Sequence, residues 1–233
     1  MTPLVLIPGM MCDARLFAPQ IDAFSESYKV VVILPTADTV AGMAAQVLEN
    51  VSGNFALAGL SLGGIVAMEV FAQAPERVTR LALMDTNPKA ETDQIKARRG
   101  PQIDRVRAGH LHKVMRDEMK PHYLSDGPDR DRVLDLCMDM AEGLGTEIFI
   151  NQSKALRDRP DQQDVLSKVT QPTLILSGED DRLCPPDRHH LMKSLIPHAT
   201  LTFIQGAGHL PTLEQPEATT DAMRQWLQSA PGS

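Results

Sequence analysis

A chain of 233 residues with 42% hydrophobic and 23% charged side chains can bury one substantial core and has no bias towards disorder. Lys and Arg total 23 against 30 Asp and Glu, and a formal charge of -7 repels a phosphate backbone, so nucleic acid is excluded as an expected partner. Cys12, Cys137 and Cys184 are an odd set without disulfide or metal spacing, which points to a reduced, cytoplasmic protein.

Met1 to Ile7 lacks a basic segment and its apolar run breaks at Pro8-Gly9, so neither a signal peptide nor an anchor is expected. No later apolar run approaches a membrane span, so no membrane partner is expected. Leu4-Val5-Leu6-Ile7 and Val30-Val31-Val32-Ile33-Leu34 read as strands buried on two faces. Apolar positions at helical spacing predict helices over 14–24 and 42–51. The alternation continues with a strand at 55–58, a helix over 62–73 and a strand at 81–84. It resumes with a strand at 173–176, a helix near 187–195, a strand at 201–204 and a last helix over 216–227. Repeated strand-helix units imply an α/β fold with a mostly parallel sheet covered on both faces.

Between them, 87–165 is rich in Arg, Asp and Met, shows no strand-like run, and carries breakers at Pro101, Pro121, Gly127-Pro128 and Pro160. It reads as a helical cap inserted between two strands of a core formed by 1–86 and 166–233. The tail from 230 to 233 is expected to fray.

Gly59-Leu60-Ser61-Leu62-Gly63 matches Gly-x-Ser-x-Gly between an apolar strand and a helix, the context of a nucleophile elbow. Glycines flank the serine because a turn this tight leaves no room for side chains, and Gly64 permits close helix packing. Taken alone, the pentapeptide fits a helix-capping serine equally well. A serine hydroxyl becomes a nucleophile only with a base in reach and a carboxylate orienting that base. His209, in Gly206-Ala207-Gly208-His209 after the final strand, is the candidate base. Glu179-Asp180-Asp181 after the preceding strand supplies the acid, with Asp181 preferred; Asp180, Glu179 and, beyond another strand, Asp85 are alternatives. The chain order Ser61, Asp181, His209 places each group just past a strand.

These segments, with Leu4 to Gly9 and Glu214-Gln215-Pro216, resemble the α/β-hydrolase superfamily over nearly the whole chain. The resemblance is to compact bacterial members: pimeloyl-carrier methyl ester esterases, enol-lactone hydrolases and MenH-like lyases. It implies an α/β-hydrolase fold and supports Asp181, since that family's acid stands three residues after a glycine, here Gly178. The backbone amide of Leu62, directly after the nucleophile, provides one oxyanion donor. The resemblance implies the amide of Met10 as the second, although Pro8-Gly9 stands where His-Gly is common.

The expected activity is hydrolysis of a small carboxylic ester, thioester or lactone through an acyl-enzyme on Ser61, without cofactor or metal, by a monomer or homodimer. A triad-dependent lyase or synthase is the alternative, and a non-catalytic binding shell a remoter one. A serine at the elbow disfavours chemistry that needs a carboxylate nucleophile. His110, His112 and His122, and the pair His189-His190, form no closed metal-ligand set. Met10, Met11, Met84, Met115, Met138 and Met140 are candidates to line an acyl pocket, with core filling the simpler role. Arg157 and Arg159 could bind a substrate carboxylate, or lie on a solvated helix end.

Overall fold

The computed structural model describes residues 2–229, and the tail at 230–233 lies outside them. Six strands form one sheet: β1 Leu4–Ile7, β2 Val30–Val32, β3 Phe55–Leu60, β4 Val78–Met84, β5 Thr173–Gly178 and β6 Thr200–Ile204. Every pairing between them is parallel, in the order β2-β1-β3-β4-β5-β6. The helices in chain order are α1 Ala18–Phe24, α2 Val40–Asn50, α3 Leu62–Gln73, α4 Asp93–Arg107, α5 Leu111–Lys113, α6 Arg130–Arg157, α7 Gln163–Leu166, α8 Pro186–Leu195, α9 Pro211–Glu214 and α10 Pro216–Gln228. None is long and apolar enough to cross a membrane.

Side chains alternate across the pleat, so each strand feeds two cores. Val5, Ile7, Leu57, Leu83 and Ile175 pack with Met43 and Val47 of α2 and with Val66 and Val70 of α3. Leu4, Leu6, Ala58, Met84 and Leu176 face the other way, against Phe24 of α1 and Met223 and Trp226 of α10. Burying each such Leu, Val or Ile contributes about 1.5–3 kcal/mol. This two-sided burial is why the strands read as unbroken apolar runs rather than alternating ones.

Three expectations need correction. Val30–Val32 is half-exposed rather than buried on both faces, because β2 is an edge strand with a neighbour on one side only. The strand predicted at 81–84 begins at Val78. Pro101 does not break the chain: α4 runs through it, capped at its start by the Thr92 hydroxyl, which accepts from the Ile95 amide. All described elements between β4 and β5 are helical, and α6 is interrupted at Gly145, where φ is 78°.

The sheet order has one switch point. From β1 the chain moves outward to β2, then returns past β1 to β3 and continues the other way. The crevice between the carboxyl ends of β1 and β3 is therefore where both Met10 and Ser61 emerge.

Lys120 is wholly buried; its Nζ stands 4.3 Å from the centre of the Tyr123 ring and, among the described residues, has no hydrogen-bond acceptor. Desolvating an ammonium outweighs one cation–π contact. Lys120→Met is expected to stabilise the fold by about 1–3 kcal/mol in chemical denaturation; a lower midpoint would show that the ring contact wins.

Candidate active site

Ser61 sits at φ 56°, ψ -114°, between the end of β3 and the start of α3. A non-glycine residue in such a conformation costs about 1–3 kcal/mol, and its surroundings must hold it there. The end of β4 does so from both sides: the Ser61 amide donates to the Met84 carbonyl at 2.8 Å, and the Thr86 hydroxyl donates to the Ser61 carbonyl at 2.8 Å. A Cβ on Gly59 would lie 2.1 Å from the Gly63 carbonyl oxygen, and one on Gly63 would lie 1.9 Å from that of Ile7 in β1. The glycines thus let the helix start touch two strand ends.

The acid and base loops are built the same way. A Cβ on Gly178 would lie 2.0 Å from the Gly208 carbonyl oxygen, so only glycine lets the two loops lie against each other. The amides of Glu179 and Asp180 donate to the carbonyls of Ile204 and Ala207, at 3.0 and 2.9 Å. This turns Asp181 inward while Glu179 and Asp180 stay exposed. His209 Nδ1 meets Asp181 Oδ2 at 2.8 Å, and its Nε2 meets Ser61 Oγ at 2.9 Å. The three groups predicted from separate loops therefore form one chain of hydrogen bonds, with Asp181 and His209 buried.

Two further groups fix the histidine. The His209 amide donates to the Tyr123 carbonyl at 2.6 Å, and the Tyr123 ring meets the imidazole edge-on at 5.3 Å. Glu214 accepts from the amides of Gly208, Leu210 and Ser125 and from the Ser125 hydroxyl, at 2.7 to 3.1 Å. Its sequence signal was only its place after the histidine loop; nothing local showed that it ties that loop to Ser125, 89 residues away.

Burial alone would raise the Asp181 carboxyl, but the neighbouring His209 and the amides of Cys184 and Leu183 outweigh it and hold the group below its ordinary value. Asp85 behaves oppositely. It is wholly buried, with Oδ1 accepting from the Gly178 amide at 2.9 Å, and burial and the Asp181 carboxylate push it well above the ordinary range. It stands behind the acid rather than against the imidazole.

Atoms of Asp181, Cys184 and His209 lie within 4.8 Å of one another, a spacing that could hold a metal ion. Asp181 Oδ2 and His209 Nδ1 are already joined, however, and burial and the Asp181 carboxylate raise the Cys184 thiol far from the thiolate a metal needs. Burial likewise raises Cys12, and Cys137 to about 12. His112 pairs with Glu142, His122 is exposed, and buried His189 is lowered to about 4 by desolvation.

A cavity of about 420 Å³ opens beside Ser61 and His209. Met10 lines it, and the Gly9–Cys12 turn that presents the Met10 amide is held by Gln152 Oε1, which accepts from the Met11 amide at 2.8 Å. Leu62 opens α3, where a first-turn amide has no carbonyl one turn back. Of the other methionines weighed, Met11, Met84, Met115, Met138 and Met140 belong to the packed interior, and Met119, which carried no sequence signal, lines the cavity instead. Arg157 pairs with Asp158 on the surface, whereas Arg159 is buried in the cavity wall.

Glu214→Gln is expected to lower kcat about 10- to 100-fold with little change in KM, because an amide NH2 cannot accept from the Gly208 and Leu210 donors that set the histidine; an unchanged kcat would remove Glu214 from this role. Asp85 gives a pH-dependent stability. A carboxyl raised in the folded state favours folding below its unfolded value, and that contribution is lost as pH rises. Asp85→Asn should therefore raise the melting temperature at neutral pH, the gain shrinking to nothing near pH ~4; the same gain over wild type at both pH values would contradict it.

The model of the alpha/beta hydrolase family matches residues 4–222. Pimeloyl-[acyl-carrier protein] methyl ester esterase from Xanthomonas oryzae pv. oryzae is 26% identical, covering 98% of this chain and 96% of that protein. An esterase from Thermogutta terrifontis, solved with malate bound, superposes with a TM-score of 0.89 at 28% identity over 98% of this chain and 90% of its own. The enol-lactonase from Burkholderia xenovorans LB400 shares the fold, with a TM-score of 0.86 at 20% identity over 98% and 92% of the two chains. A family match across nearly the whole length, on the sheet order and elbow just described, makes this chain a member of the alpha/beta hydrolase family.

Proposed function

We infer that the protein hydrolyses a small carboxylic ester through an acyl-enzyme on Ser61, with thioesters and lactones as variants of the same chemistry. The observation that carries this is the continuous relay of Ser61 Oγ, His209 and Asp181, at 2.9 and 2.8 Å, opening on a cavity. The curated esterase relative supports an ester bond as the target.

In this reading Ser61 Oγ attacks the carbonyl carbon while His209 Nε2 takes its proton. Asp181 accepts from Nδ1–H, which sets the tautomer and stabilises the imidazolium. The amides of Met10 and Leu62 donate to the developing oxyanion. Collapse expels the alcohol, protonated by His209, and a water activated by the same imidazole then releases the acid and restores the serine. The helices of 87–165 act as the cap that shapes the acyl site, and Ile95 and Leu183, the exposed large apolar residues among those described, both line the cavity. The free thiols fit a cytoplasmic setting.

Ser61→Ala is expected to lower turnover of a simple aryl ester by at least about 10³-fold, and a fluorophosphonate probe to label Ser61 in the wild type only. Retained turnover in the variant would overturn the nucleophile. A labelled serine without ester turnover would favour the lyase reading.

A further inference from the structure

The chain carries a formal charge of -7, yet the cavity beside Ser61 is lined by five cationic side chains, Lys89, Arg98, Arg99, Arg159 and Arg188, against Glu91 and Glu118. Some of these charges are already matched: Glu118 pairs with Arg105 at 2.6 Å, and Arg188 with Asp187 at 3.2 Å. Arg99 and Arg159 are different. Their side chains are only 13% and 8% exposed, and both reach the single carboxylate of Glu91, itself 7% exposed.

One carboxylate cannot neutralise two guanidiniums. Nor does it bind either well: the nearest approaches are 3.5 Å from Arg99 and 3.6 Å from Arg159, beyond the 2.7–2.9 Å of a charge-assisted hydrogen bond. Arg159 Nε donates to the Lys89 carbonyl at 3.0 Å, whereas Arg99 Nε is buried and, among the described residues, has no acceptor. A purely structural ion pair would close these gaps, since a buried charge left over is strongly destabilising. Burial, with Arg159 alongside, also depresses the Arg99 guanidinium against the pull of Glu91.

Resting on the ester-hydrolase reading, we propose that Arg99 and Arg159 form an anion subsite that binds a carboxylate on the substrate, which makes the substrate class esters carrying one free carboxylate, such as half esters of dicarboxylic acids. The free acid group supplies the second negative charge that the Arg99–Glu91–Arg159 cluster lacks. The ester carbonyl then lies at Ser61, in the same cavity, whose apolar lining includes Met10, Ile65 and Leu156. Arginine suits this task because its planar fork meets a carboxylate in two parallel bonds.

The test compares the p-nitrophenyl half esters of glutarate, adipate and suberate with their methyl-capped, neutral counterparts. Wild-type kcat/KM for the best half ester should exceed that of its neutral counterpart by about 10- to 100-fold, and the ratio should fall towards one in Arg159→Met and in Arg99→Met. Arg159→Met removes the surplus cation and leaves Glu91 with Arg99, so it is the variant that keeps a balanced wall; Arg159→Lys, which keeps charge without the fork, should fall between. A wild-type ratio at or below one, with the neutral ester still turned over, overturns the subsite and leaves ester hydrolysis standing. If neither ester reacts, calorimetry with adipate decides: binding to the wild type that is lost in Arg159→Met supports the subsite, and no binding overturns it.

Discussion

The conformation of Ser61 is the constraint on which the site depends. At φ 56° and ψ -114° the residue is strained, and the strain persists because the ends of β1 and β4 and the first turn of α3 crowd around it. That crowding is possible only because Gly59, Gly63 and Gly64 have no side chains. Its effect is to put the hydroxyl at the switch point of the sheet, where the loops after β1, β5 and β6 can converge on it.

The loops that converge are tied to one another rather than placed independently. Gly178 lets the acid loop touch the histidine loop, and Glu214 and the Tyr123 carbonyl join that loop to the helical segment above it. The segment that walls the cavity therefore also holds the His209 loop. The stretch around Tyr123 and Ser125 thus joins the cavity wall to the loop that carries His209.

Much of this was legible in the sequence, for physical reasons. Strands buried on both faces are unbroken apolar runs, and β1, β3, β4 and β5 stood out for that reason; β2 did too, but its place at the sheet edge cannot be read from Val30-Val31-Val32. The elbow was legible because glycine marks close backbone approach. What escaped reading depends on contacts between distant segments. The role of Glu214 needs Ser125, the upward shift of the Asp85 carboxyl needs its burial beside Asp181, and the shared carboxylate of Arg99 and Arg159 brings together α4, the loop before it and the residues after α6. Arg157 and Arg159, two residues apart, looked equivalent in sequence, yet one meets solvent and the other lines the cavity.

If the relay of Asp181, His209 and Ser61 makes the serine a covalent nucleophile, an acyl-enzyme on Ser61 must form and decay during turnover. The most direct test is rapid-quench mass spectrometry of the protein during turnover of a slowly released aryl ester. A transient mass increase equal to the acyl group is expected, located on the peptide that contains Ser61 and decaying as product acid appears. Product release with no acyl adduct on Ser61 at any time point would contradict it.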